Sequence, residues 1–133
     1  MISLRPIDHH DWQFLYDLLA ERPKEANISH QSMPSLEAHI SFITSNPYQS
    51  WYIIENEHSR LGSIYLTNQD EIGIFILKSN QNQGIAPKAI ELLMQAHPKP
   101  RYLANIAPQN ANSMKLFNKL GFNLCQHTLE LKA

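Results

Sequence analysis

The chain has 133 residues, 43% apolar and 17% charged, with a formal charge of −1 and a pI near 6.6. That is enough for one hydrophobic core and too little for two, so a single domain over residues 1–133 is expected. Near-neutral charge without a basic run excludes a protein that grips nucleic acid by neutralising phosphates, and no stretch approaches the roughly 18 apolar residues of a membrane helix.

The N-terminus MISLRPIDHH lacks the apolar stretch of a signal peptide. The lone cysteine, Cys125, allows no internal disulfide and fits a reducing cytoplasm. Ile2 and Leu4 alternate and, past Arg5-Pro6, Ile7 follows, which predicts a first strand ending at the proline. Asp8 stands as an N-cap with Asp11 adding first-turn charge, so a helix is expected over residues 9–21, its stripe formed by Trp12, Leu15, Tyr16 and Leu19. Residues 22–34 carry two prolines and no periodicity; a loop of that length in so compact a chain points to function. Ser35 then caps a helix over residues 36–44 that turns Leu36, Ile40 and Ile43 inward, with His39 on the same face.

Residues 51–54 and 61–67 read as strands joined by a polar loop, and Asn68-Gln69-Asp70 turns the chain into a third, so this part is an antiparallel meander. That third strand, residues 72–77, is an almost unbroken apolar run, as expected where both faces are covered. Residues 78–83 have no apolar side chain, and after Gly84 an amphipathic helix begins, with Ile85, Ala89, Leu92, Leu93 and Ala96 inward. A strand feeding a glycine-containing turn into a helix makes an anion site, because the first-turn N–H groups are unpaired and point outward. The turn Gln81, Asn82, Gln83, Gly84, Ile85, Ala86 is therefore the expected grip on a phosphorylated cofactor.

His97-Pro98-Lys99-Pro100 stops that helix. Residues 102–106 read as a strand, residues 112–120 as a helix closed by Gly121 at its C′ position, and residues 122–131 as a last strand. The order β-α-α-β-β-β-α-β-α-β predicts the α/β (α+β) class, with a mixed central sheet and helices on both faces.

Gln81-x-x-Gly84-x-Ala86 after a strand resembles the pyrophosphate-binding motif of the GNAT superfamily of acetyl-CoA-dependent N-acetyltransferases. Asn110-x-x-Ser113-x-x-x-Phe117-x-Lys119-Leu120-Gly121-Phe122 resembles that family's second helix with its closing Gly-Phe, and the element order matches from residue 2 to 131. The resemblance implies a GNAT fold with six to seven strands and acetyl-CoA as co-substrate. It also implies main-chain groups of Ile76 and Leu77 along the pantetheine arm, the diphosphate on the 81–86 turn, and cofactor contacts from Asn110, Ser113 and Phe117. Pro87 has no N–H to add to the turn, but is comfortable in a first helical turn.

The same resemblance makes Glu71 the general base; as a bare residue it is equally a solvated turn side chain after Asp70. His39 has two readings, a substrate contact or base and a core-edge histidine bonded to backbone. Where many relatives carry a tyrosine acid in the last helix this chain has Phe117, which cannot donate a proton, so Tyr65 or Tyr52 would serve, or water. Asn110 and Ser113 also suit helix capping, and Cys125 suits a buried small hydrophobe. The seven histidines lack metal-site spacing, and no metal is expected. The implied acceptor is the primary amine of a small molecule. The run SLEAHISFI, WYII, EIGIFI is similar to enzymes acting on nucleotide-linked amino sugars. Acetylation of a protein N-terminus or lysine and a catalytically impaired acetyl-CoA-binding module are the alternatives, and a homodimer is left open.

Overall fold

The computed structural model describes residues 1–22 and 33–133. Most of the irregular run expected at residues 22–34 lies outside the described residues. In chain order the elements are β1 (Ser3–Pro6), α1 (Trp12–Ala20), α2 (Leu36–Thr44), β2 (Ser50–Glu55), β3 (Arg60–Leu66), β4 (Ile72–Ile76), α3 (Ile85–Ala96) and α4 (Ala111–Lys119). A 3-10 turn at His9–Asp11 leads into α1, so the expected first helix begins as a tighter coil. There the Asp8 side chain accepts from the His10 N–H, while Asp11 reaches back to the Asp8 N–H. Ser35 caps α2 through the Ala38 N–H at 3.1 Å.

The sheet has four strands in the order β1-β2-β3-β4, all antiparallel. Alternation sends Tyr52, Ile54, Ile64, Leu66, Ile72, Ile74 and Ile76 to one face, where Ile85, Ala89, Ile90 and Leu93 of α3 and Phe117 of α4 complete the larger core. Trp51 and Ile53 point to the opposite face, against Leu15 of α1 and Ile43 of α2. Helices thus cover both faces, as expected.

The strand count does not follow the expectation of six to seven. Residues 102–106 touch the sheet through one parallel bridge, Glu71 to Leu103, carried by Ile72 N–H to Leu103 C=O at 2.7 Å and Leu103 N–H to Asp70 C=O at 2.9 Å. Their side chains still obey strand alternation, with Tyr102, Ala104 and Ile106 packed against the core. The side-chain pattern was readable, but the loss of the ladder past one bridge depends on where the backbone diverges. Residues 122–131 form no strand and are exposed from residue 123 onward. The closure of α4 carries them off the sheet.

Candidate functional site

The site is organised by the parting of β4 from residues 102–106. On an antiparallel strand, successive residues turn their N–H and C=O to opposite sides. The Glu71 C=O accepts from the Thr67 N–H at 2.9 Å and the Leu77 N–H donates to the Leu61 C=O at 2.9 Å, so the odd-numbered residues of β4 bond to β3. The even-numbered ones face the gap: Ile72 is taken by Leu103, leaving Ile74 and Ile76 along the open stretch. The Leu77 N–H is therefore committed to the sheet, and Ile74, which no sequence signal singles out, lies with Ile76 along the gap. The Ile76 C=O takes a hydrogen bond from the Gln81 side chain at 3.3 Å, which folds the loop back over the end of β4.

That loop reaches α3 through two left-handed residues, Asn82 at φ 62° and Gly84 at φ 75°. Gly84 is the N-cap of α3 and no side chain caps the helix. A Cβ built on Gly84 would meet nothing within 4 Å. Ile85 is buried and pins the first turn to the core, while Gln81, Asn82, Gln83 and Gly84 are exposed and Ala86 is half-buried. No side chain caps the first-turn donors and the corner at Gly84 is open, a setting that fits a diphosphate. On the other side of the loop the Glu21 carboxylate accepts from the Lys78 N–H at 2.8 Å, tying it to the end of α1. Asn110 caps α4 by accepting from the Ser113 N–H at 3.2 Å. Phe117 is buried, its ring edge-on to Phe122.

Glu71 lies at the mouth of the gap. One carboxylate oxygen accepts from the Thr67 hydroxyl at 3.0 Å and the other from the Asn105 side-chain amide, so both sides of the parting hold it. On the same face of β4, Gly73 stands opposite Tyr65 of β3, and the Tyr65 ring lies flat across it: an added Cβ would fall 2.0 Å from the ring. Tyr48 stacks on Tyr65 with centroids 3.9 Å apart and planes 2° from parallel, and Trp51 and Phe75 border the pair edge-on or tilted. Arg22 lays its guanidinium over Phe75 at 3.8 Å. Burial pushes the Tyr65 hydroxyl above its ordinary range and the nearby Glu71 charge adds to this, while the hydrogen bond from Tyr48 and the Arg22 charge pull the other way. Burial likewise raises Tyr48 and lowers Arg22.

His39 is buried between α2 and α1, with its ring 5.6 Å from that of Tyr16. Tyr52 is on the α3 face, where its hydroxyl meets His97 Nε2 at 2.6 Å beside Ser50. Sequence reasoning thus reached Glu71 and Tyr65 but missed Tyr48, Thr67, Asn105 and Arg22, which join the site only through cross-strand register. Cys125 is exposed, not buried as expected. Among the described residues one set could hold a metal ion by spacing, the exposed Asp8, His9 and His10 with ligand atoms within 4.8 Å of one another. Both Asp8 oxygens are already engaged, by the His10 N–H and by Arg5.

An antiparallel meander, a strand–turn–helix corner and a splayed parallel neighbour with a carboxylate at the splay define the class of the fold, α+β. The family model of the acetyltransferase (GNAT) domain matches residues 2–123, and the chain belongs to that family. It is an acyltransferase, and membership implies acetyl-CoA as donor. No curated protein sequence matches the chain. Among solved structures, a domain from Methanocaldococcus jannaschii DSM 2661 is similar at TM-score 0.83 and 23% identity, over 98% of this chain and 93% of that one. The spermidine N-acetyltransferase of Vibrio cholerae, in complex with CoA and spermine, is similar at TM-score 0.82 and 17% identity, over 98% and 85%. AAC(6')-Iy, in complex with the bisubstrate analog CoA-S-monomethyl-acetylneamine, is similar at TM-score 0.72 and 16% identity, over 100% and 98%. At these identities the likeness is one of fold.

Proposed function

We propose that this protein acetylates a primary amine of a small molecule, with an amino sugar as the first acceptor class to test. The observation that carries the reading is the Glu71 carboxylate, fixed by Thr67 and Asn105 on the face that also presents the Tyr65 hydroxyl. Acetyl-CoA supplies an activated thioester, and the chain's residues bind, orient and move protons. Main-chain groups of Ile74 and Ile76 align the acyl and pantetheine amides in the notch, and the N–H groups of the 81–86 turn receive the diphosphate. Glu71 takes the proton that an ammonium must lose before its nitrogen can attack, and Tyr65 returns one to the departing thiolate. Positioned acid and base groups contribute about 10²–10⁴-fold each. Tyr48, Trp51, Tyr65 and Phe75 give the acceptor an aromatic wall, suited to the C–H face of a sugar ring or an alkyl chain. Fold neighbours named for spermidine and bound to a neamine analogue support a small polyamine or amino-sugar acceptor.

The test is CoA release from acetyl-CoA against a panel of a nucleotide-linked amino sugar, spermidine, a free N-terminal peptide and a lysine peptide. The expected result is turnover on a small amine and a fall of about 10²-fold or more in kcat for Glu71→Gln, with CoA affinity kept. Unchanged turnover in Glu71→Gln removes it as the base, and turnover confined to the peptides assigns a protein acetyltransferase. A second reading, an acetyl-CoA-binding module without catalysis, is favoured by Phe117, which is buried and has no hydroxyl. It predicts stabilisation by CoA, about 2.7 kcal/mol at 100 times the dissociation constant, with no CoA released on any amine.

A further inference from the structure

Tyr65 leaves β3 and crosses its neighbour. An added Cβ at Gly73 would fall 2.0 Å from the Tyr65 Cζ and 2.3 Å from its hydroxyl oxygen. The hydroxyl end of the side chain therefore lies over the Gly73 backbone, on the strand that borders the gap. The Tyr48 ring stacks on the Tyr65 ring, with 3.9 Å between centroids and 2° between planes. A stacked ring and a strand cannot share one face of a phenol, so Tyr65 is held between them. Its hydroxyl and ring edge are what remain to meet a reactant.

Tyr48 is itself fixed by its surroundings. It belongs to the segment between α2 and β2, where the next residue, Gln49, donates its N–H to the Leu66 C=O at 3.0 Å. Phe42 of α2 and Trp51 of β2 meet its ring edge-on, at 5.8 and 4.8 Å between centroids. The Tyr48 hydroxyl donates to the Tyr65 oxygen. A phenol oxygen has one proton to give and lone pairs to receive with. Because Tyr48 supplies the proton of their shared bond, the Tyr65 proton is directed to another acceptor. A donor at that oxygen also stabilises the phenolate that proton transfer leaves behind.

We propose that Tyr48 is a positioning residue for acyl transfer, whose ring and hydroxyl together hold the Tyr65 hydroxyl as proton donor to the departing sulfur. This rests on the assignment of Tyr65 as the acid. The ammonium gives its first proton to Glu71. As the nitrogen bonds to the acetyl carbon and the C–S bond breaks, the sulfur takes the Tyr65 proton. The nitrogen sheds its second proton to solvent, solvent restores the one on Tyr65, and Glu71 releases its own, so each turnover frees one proton.

The test uses the full chain with acetyl-CoA and the fastest-reacting amine among a nucleotide-linked amino sugar, spermidine and the two peptides. Tyr48→Phe keeps the stacked ring and removes only the hydroxyl. Its kcat should fall about 5–10-fold, while the KM for acetyl-CoA and the urea midpoint stay those of the wild type. Tyr65→Phe should fall about 10²-fold or more, and the double variant no further than Tyr65→Phe alone, because Tyr48 acts through Tyr65. Wild-type turnover in Tyr65→Phe, or no turnover of any of the amines by the wild type, removes the underlying assignment and this inference with it. A slow Tyr65→Phe beside an unimpaired Tyr48→Phe, or losses that multiply in the double variant, overturn the inference and leave Tyr65 as the acid. Crystals grown with CoA give a check that needs no acceptor. The thiol sulfur should lie within hydrogen-bond reach of the Tyr65 hydroxyl, and a sulfur out of that reach overturns the proposal.

Discussion

The tightest steric demand in the site falls on Gly73. The Tyr65 ring occupies the space that any side chain at this position would need, with ring atoms 2.0–2.4 Å from the place of an added Cβ. No such contact can stand, so Gly73→Ala must move the ring, and moving the ring breaks its stacking on Tyr48. Overpacking of this kind costs about 1–3 kcal/mol. The expected phenotype has two parts, a lowered unfolding midpoint in urea and a loss of turnover with CoA affinity preserved, since the turn proposed for the diphosphate is elsewhere. A Gly73→Ala protein with wild-type turnover would separate Tyr65 from the chemistry. Gly73 stood in the sequence as one glycine in an apolar strand. Its partner across the ladder was not readable, because the register of β3 on β4 is set by how both strands meet the core.

At the scale of elements, the crossover from β4 to α3 was the most legible part of the chain. A dense apolar run, a polar loop, one glycine and a 3.6-period helix are strong local signals, and β4, the turn and α3 fall where they indicated. The phase of the strand was hidden: which of its residues face the gap follows from the Glu71 and Leu77 bonds to β3, which engage the Leu77 N–H and turn Ile74 to the gap. The last strand expected over residues 122–131 is not formed, and Leu124, Leu129 and Leu131 stand exposed, because alternation along a sequence does not say whether a sheet edge takes the segment up. The turn itself is open to test. Gly84 is left-handed and faces open space, so Gly84→Ala adds backbone strain of about 1–2 kcal/mol and no clash. Gly84→Asp adds the same strain and sets a carboxylate at the helix N-terminus where we propose the diphosphate binds. Isothermal titration with CoA should find binding weakened in Gly84→Ala and abolished in Gly84→Asp, both variants being folded. Equal affinity in the two would mean that charge at this corner is irrelevant and the diphosphate lies elsewhere.

Across the whole molecule, one cluster built on a buried carboxylate joins the opening of the chain to its meander. Asp11 is fully buried, and the Arg5 guanidinium of β1 grips it with two hydrogen bonds of 2.8 and 2.9 Å, while Arg60 of β3 approaches one oxygen at 3.0 Å. Arg5 reaches on to Glu55 of β2 at 3.2 Å, so three strands and the entry to α1 share the network. Burial by itself would raise the Asp11 carboxyl. The hydrogen bonds from Arg5 and the Asp8 N–H and the charges of Arg5 and Arg60 outweigh it and hold the group below 3.8. A carboxyl depressed in the folded state adds stability that is present above the unfolded value, near 3.8, and disappears as the pH falls through the lower folded value. Wild-type stability should therefore decline on acidification below about pH 4, where carboxylates paired in the folded state become protonated. Asp11→Asn should lose about 1–3 kcal/mol already at neutral pH, because the hydrogen bonds from Arg5 and Arg60 lose a charged acceptor while both guanidiniums keep part of their water, and its stability should depend less on acid than that of the wild type. Urea unfolding at pH 7, 5 and 3 reads both effects. If the variant keeps the full acid dependence, the carboxylates that govern it lie outside this cluster, and the first strand is held to the sheet by its ladder and apolar contacts alone.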